Sequence, residues 1–205
     1  MKLTGTAEEI ITAIERDHPE VRRVLAETKA AVPQKKRQIS EYQGAALYAL
    51  AKQYDGGRIL EIGTFLGYSA TLLSRAAPKA RIVTLNPRED EMALARQFLR
   101  PCANVTPVAQ KSWDYLAEFE GKPFDMIWVD GDHARIALDL PWWKHLRTGG
   151  LFLHHDYSPA GSWRPCPVVF DALNEFAARL GRELDVLVVD DGGVGLAGFY
   201  KKEGE

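Results

Sequence analysis

Two short segments concentrate groups that bind ions or move protons: Asp130-Gly131-Asp132-His133 and His154-His155-Asp156-Tyr157. Carboxylates beside imidazoles suit a divalent ion such as Mg²⁺, Mn²⁺, Zn²⁺ or Fe²⁺, whereas a thiolate-rich set would point to zinc alone. Imidazole titrates near neutrality, so His133 suits the role of general base. Asp132 is the competing base, and it also suits capping a helix that begins near 134. A third segment, Leu60-Glu61-Ile62-Gly63-Thr64-Phe65-Leu66-Gly67-Tyr68-Ser69, closes an apolar run with a G-x-x-x-G turn. Gly63 is expected to leave a strand where a side chain would meet a bound ligand, and Gly67 to let a helix begin beside it. Ser69 would then offer its hydroxyl at a helix N-terminus, where backbone N–H groups favour an anion. The spacing is not the G-x-G-x-x-G of dinucleotide sites.

Positioning these groups falls to elements legible from hydrophobic period. Apolar residues at helical spacing run from Thr6 to Ala31, and His18-Pro19 should divide them into two helices. A polar link follows, whose Lys35-Lys36-Arg37 reads as a solvated face. Ser40 should cap a helix over 41–54. From Arg58 the period switches to short apolar runs: RILEI, RIVTL, NVTPV, FDMIWV and, after Gly149-Gly150, LFLHH. Helical segments are expected over 68–76, 89–99, 113–119, 134–146 and 168–180. LDVLVV, a DDGG turn and VGLAGFY close the chain as an antiparallel hairpin. Five βα alternations predict an α/β fold, a mostly parallel seven-stranded sheet sandwiched between helices in three Rossmann-like layers. Ligands of such sheets bind beyond the carboxyl ends of the strands, where all three chemical segments fall. While a strand persists, His154 shares a face with Asp156 and His155 points away, so a loop starting at His155 is needed for 155 and 156 to act together.

Glu61-Ile62-Gly63-Thr64-Phe65 with Gly67-Tyr68-Ser69 resembles the first motif of class I S-adenosylmethionine-dependent methyltransferases. The resemblance is to the small-molecule O-methyltransferases of the catechol, caffeoyl-CoA and macrolide-sugar types, and it extends from about Ser40 to Tyr200. It implies a helical extension over 1–39 and a methyltransferase domain over 40–205. It also implies cofactor contacts from Glu61, Gly63, Thr64, Phe65, Gly67, Ser69, Asn86, Ser112, Trp113 and Asp130. Metal ligands would be Asp130, His155 and Asp156, and a base would stand at His133 or Asp132. Two positions depart from the pattern. Asn86, at the tip of RIVTL, stands where the family has an acid for the ribose hydroxyls, so an Asp there is expected to bind the cofactor more tightly. His155 stands where the family has an acidic or amide ligand, which softens the site. Trp163 and Arg164, in the loop YSPAGSWRPCP that follows, are the substrate-contact candidates. Trp142 and Trp143 read as core.

Composition narrows the partners. Among 205 residues, 26 Lys and Arg nearly balance 28 Asp and Glu, which disfavours a nucleic-acid or membrane surface. The longest apolar runs are strand-sized, no signal peptide is visible, and Cys102 and Cys166 make no disulfide framework. The expectation is a cytoplasmic enzyme acting on a small molecule, compatible with a homodimer. An NADP-dependent oxidoreductase is the rival, since an uncharged Asn86 with Arg88 nearby is how a dinucleotide fold takes a 2′-phosphate. A catalytically silent cofactor-binding module is the third reading.

Overall fold

A computed structural model describes residues 1–33 and 38–205; the basic run 35–37 lies outside the described residues. Among the described residues, eight strands form one sheet in the order β1-β7-β8-β6-β5-β2-β3-β4. They are β1 (Lys2–Gly5), β2 (Arg58–Ile62), β3 (Arg81–Leu85), β4 (Val105–Val108), β5 (Phe124–Val129), β6 (Leu146–Tyr157), β7 (Val186–Asp190) and β8 (Gly195–Tyr200). All pairings are parallel except those of β8 with β6 and β7. The seven expected strands are present, and the closing hairpin is β7–β8. The eighth, β1, adds to β7 in parallel, with Lys2 opposite Leu187.

Strand alternation sends the apolar residues of each central strand to opposite faces. Ile59, Met126, Trp128 and Leu153 meet α1 (Ala7–Glu15), α2 (Val21–Ala31), α3 (Glu41–Ala51) and α4 (Tyr68–Ala76). Leu60, Ile127, Phe152 and Phe199 meet the other layer, α6 (Ser112–Ala117), α7 (Ile136–Asp139) and α8 (Pro167–Arg179). The remaining helix, α5 (Glu89–Phe98), packs Met92 and Ala95 against Ala70 of α4. Trp142 and Trp143 are core residues of the second layer. Each rests on aromatic neighbours, Trp142 on Phe119 and Phe124 and Trp143 on Phe152 and Phe176.

Two local readings change. The helix expected over 134–146 is α7 flanked by 3₁₀ turns at His133–Arg135 and Leu140–His145, because Pro141 interrupts the i→i−4 ladder. Gly149-Gly150 do not precede a strand but lie inside β6, which begins at Leu146. Among the described residues, no helix is long and apolar enough to cross a membrane.

Candidate active site

The carboxyl ends of β2, β3, β5 and β6 open into a cleft of about 590 Å³. Gly63, Thr64, Phe65 and Ser69 form one wall, Asn86 the next, and Ser112 and Trp113 a third. Asp130, Asp132, His133, His155, Asp156 and Arg164 line the remainder. Segments far apart in sequence therefore meet because parallel strands end together.

Three expected residues stand elsewhere. Glu61 is buried beneath the turn, where it accepts from Thr84 Oγ1 and from Ser69. Thr84 Oγ1 in turn lies 2.5 Å from Thr64 Oγ1. Glu61 thus holds the cleft's turn from below rather than facing the cleft. Burial pushes its carboxyl up to about 7, against the opposing hydrogen bonds of Ser69 and Thr84. Gly67, with φ +90°, starts α4, and a Cβ there would meet Leu99 rather than a ligand. Trp163 is 68% exposed, with its indole N–H donating to Asp190 at 3.2 Å. It packs over Gly192 of the β7–β8 turn, outside the cleft. Arg164, its neighbour, does reach in, with Nη2 3.7 Å from Asp156 Oδ2. Gly63 answers to its neighbouring strand rather than to a ligand. Its φ is +107°, and a Cβ would strike the carbonyl oxygen of Asp130 at 2.1 Å. Glycine is needed there for close approach of β2 to the exit of β5, not to clear a ligand.

His155 and Asp156 act together, though no loop begins at His155. β6 continues through both, but Asp156 has φ +52° and the register to β8 slips between His154 and Tyr157. This bulge turns both side chains to one side. Phe65, with φ +46°, is the other non-glycine residue in the left-handed region among the described residues, and it too lines the cleft. Such strain persists where surrounding structure enforces it and gathers at functional sites. His154 faces the opposite layer, edge-on to Phe152, and burial holds its imidazole down at about 3, a neutral group.

The cluster is built around His155. Its Nε2 lies 3.1 Å from Gln43 Oε1, an atom identified as oxygen because it accepts the backbone N–H of Ser40 at 2.9 Å. Nε2 therefore carries a proton, which leaves Nδ1 facing Asp130 Oδ1 at 2.9 Å and Asp156 Oδ1 at 3.4 Å. Burial opposes charge on this ring, but Asp130 and Asp156 outweigh it and raise its pKa. Asp130 is likewise held below the usual carboxylate range: burial would raise it, and His155 and His133 together overcome that. His133 bridges the two acids, with Nε2 3.6 Å from Asp130 Oδ1 and Nδ1 3.5 Å from Asp156 Oδ2. Asp132 accepts from Ala134 N at 3.3 Å and pairs with Arg135 at 3.4 Å, so it caps the turn after β5. His133 Nε2, His155 Nδ1 and Asp156 Oδ1 are buried without an aligned hydrogen bond. Two sets bring ligand atoms close enough for one ion: Asp130, His133 and His155, and His133, Asp156 and Cys166.

Sequence reasoning missed Gln43, Glu91 and Asp139. Gln43 was signalled only by the Ser40-x-x-Gln43 capping pattern. Asp139 lines the cleft and accepts from Ser112 Oγ; burial pushes it up to about 6, against that hydrogen bond. Glu91 sits in the first turn of α5, where an acid reads as ordinary helix chemistry.

A Rossmann-like sheet with an antiparallel closing hairpin, carrying its cleft at the Gly63 turn, defines a class. By a matching family model, a catechol O-methyltransferase relative and cofactor-bound structural neighbours, the chain belongs to the class I S-adenosylmethionine-dependent methyltransferases. A family model described as a methyltransferase domain matches residues 60–157, from β2 to the end of β6. A catechol O-methyltransferase of Mycobacterium tuberculosis (strain ATCC 25618 / H37Rv) is 32% identical over 142 residues, 67% of this chain and 64% of that relative. The match thus spans under two thirds of the relative's length. Among solved structures, the O-methyltransferase TomG of Streptomyces achromogenes, in complex with SAM, superposes with a TM-score of 0.68 at 25% identity. That superposition covers 87% of this chain and 89% of TomG. Cofactor-bound Rv0187 from MTB gives a TM-score of 0.68 at 26% identity, over 90% of this chain and 91% of that one.

Proposed function

We propose that the chain transfers a methyl group from S-adenosylmethionine to a hydroxyl of a small molecule, a catechol-like diol being the first candidate. The observation that carries this reading is the meeting of the Gly63 turn with the Asp130, His133, His155 and Asp156 cluster in one cleft. The cofactor supplies an electrophilic methyl on a sulfonium. Thr64, Phe65 and Ser69 would hold its methionine part, with the N-terminus of α4 favouring the carboxylate. Asn86 would face the ribose, and Ser112 and Trp113 the adenine. Glu61 and Gly67 would act from behind, fixing the turn's shape.

His133 is the residue we assign as base. It lines the cleft between two carboxylates that would stabilise the imidazolium formed when it accepts the hydroxyl proton. Asp132 is tied to Ala134 and Arg135, which favours His133 over it. A divalent ion, where bound, would be held by Asp130 and His155, with His133 completing the compact set in place of the expected Asp156, and would lower the hydroxyl's pKa. His133 is then the base only where no ion is bound. The Nε2–H of His155, fixed by Gln43, leaves Nδ1 as the ligand atom. Nitrogen in the set favours Mn²⁺, Fe²⁺ or Zn²⁺ over Mg²⁺. Arg164 remains the substrate contact, whereas Trp163 shapes its loop from outside.

The NADP reading gains no support. Arg88, the cation that would meet a 2′-phosphate, is engaged by Asp90 at 2.7 Å and by Glu91 at 3.4 Å. We further infer a cytoplasmic setting without nucleic-acid or membrane partners, and a homodimer is checked by light scattering. The test of function is calorimetry with S-adenosylhomocysteine and with NADPH, followed by transfer of labelled methyl to a panel of catechols, with and without chelator. Heat from NADPH alone would overturn the reading. Binding of S-adenosylhomocysteine without turnover on any hydroxyl would leave a silent module.

A further inference from the structure

At the tip of β3 the family's acid is replaced by Asn86, and the fold brings another acid to the same place. Glu91 of α5 lines the cleft beside Asn86, with its side chain only 12% exposed. The Asn86 amide donates to Glu91 Oε2 at 3.1 Å and to the Arg88 carbonyl at 3.3 Å. Both partners are acceptors, so the nitrogen is fixed toward them. The amide's remaining polar atom is then the carbonyl oxygen Oδ1. We infer that Glu91 is the ribose-recognising carboxylate of this chain, reaching the cofactor's hydroxyls from the helix while Asn86 positions it.

This inference rests on the methyltransferase reading. Ribose presents two hydroxyl donors, and an ionised carboxylate offers two oxygens and about four lone-pair sites, where the Asn86 amide offers one oxygen. Hydrogen bonds to a charged acceptor are roughly twice as strong as neutral ones. The surrounding charge agrees. Asp90 and Glu91 set two carboxylates against the one guanidinium of Arg88, which suits hydroxyl donors and opposes a ribose phosphate.

The test compares S-adenosylhomocysteine with its 2′-deoxy and 3′-deoxy analogues by calorimetry, on the wild type and on Glu91→Gln. The wild type should lose about tenfold or more in affinity for at least one deoxy analogue. Glu91→Gln should bind S-adenosylhomocysteine about tenfold more weakly and discriminate little against the deoxy analogues. A merely structural role in starting α5 would lower the melting temperature but leave that discrimination intact. The inference is overturned if Glu91→Gln binds like the wild type, or keeps the full deoxy penalty. No binding of S-adenosylhomocysteine by the wild type would instead sink the cofactor reading itself, and this inference with it.

Discussion

Replacing Gly63 by alanine perturbs the closest backbone approach in the cleft, and its cost follows from two separable terms. The residue sits at φ +107°, where an L side chain is strained by about 1–3 kcal/mol. The added Cβ would also lie 2.1 Å from the carbonyl oxygen of Asp130 and 2.5 Å from its carbon, over an ångström inside contact distance. Neither strand yields easily, because Asp130 N donates to Ile62 O at 2.8 Å and Gly63 N to Leu85 O at 2.9 Å. Forcing the backbone apart should add about 1–3 kcal/mol. The sum, roughly 2–6 kcal/mol, lowers the melting temperature of a chain this long by about 5–20 °C. Gly56→Ala is the control. Its φ is +92°, but a Cβ there meets nothing within 4 Å, so it carries the strain without the collision. Calorimetric melts of both variants isolate the collision as the difference between them. A Gly63→Ala protein melting no lower than Gly56→Ala would refute the reasoning, and would mean that the β2 and β5 exits can move apart freely.

Three further outcomes follow from the same geometry. Glu61 is raised from 4.5 to about 7, so the native state holds a proton that the unfolded chain has lost, and wild-type stability falls as pH rises through that window. Glu61→Gln should therefore gain on the wild type by roughly 3 kcal/mol between pH 4.5 and 8, at about 1.36 kcal/mol per unit; melts differing by a constant amount across that range would contradict it. Asn86→Asp, expected from the motif to tighten cofactor binding, should weaken it several-fold, because it sets a second carboxylate where the amide donates to Glu91 Oε2 at 3.1 Å. Calorimetry with S-adenosylhomocysteine decides the sign. His133→Ala should cut methyl transfer by about 10²–10⁴-fold with cofactor affinity nearly unchanged, and full turnover would remove His133 as base.

Much of this protein was legible in one dimension. RILEI, RIVTL and FDMIWV are strands because β-branched and apolar runs of that length suit a pleated surface, and the glycine turn after β2 announces the edge where ligands bind. Those are nearest-neighbour properties, so spacing alone reveals them. β1 was not legible: KLTG carries little apolar signal, and its partner β7 lies some 185 residues away. The candidate site divides in the same way. That Asp130, His133 and Asp156 share an edge follows from parallel strands ending together. That His155 joins them depends on a bulge and one left-handed residue at Asp156, a choice made by pairing with β8 and invisible in LHHDY. Glu91 met Asn86, and Gly63 met Asp130, through the packing of α5 and the pairing of β2 with β5. Local chemistry supplied the candidates, and long-range register, in which a shift of one residue exchanges the faces of a strand, decided which of them meet.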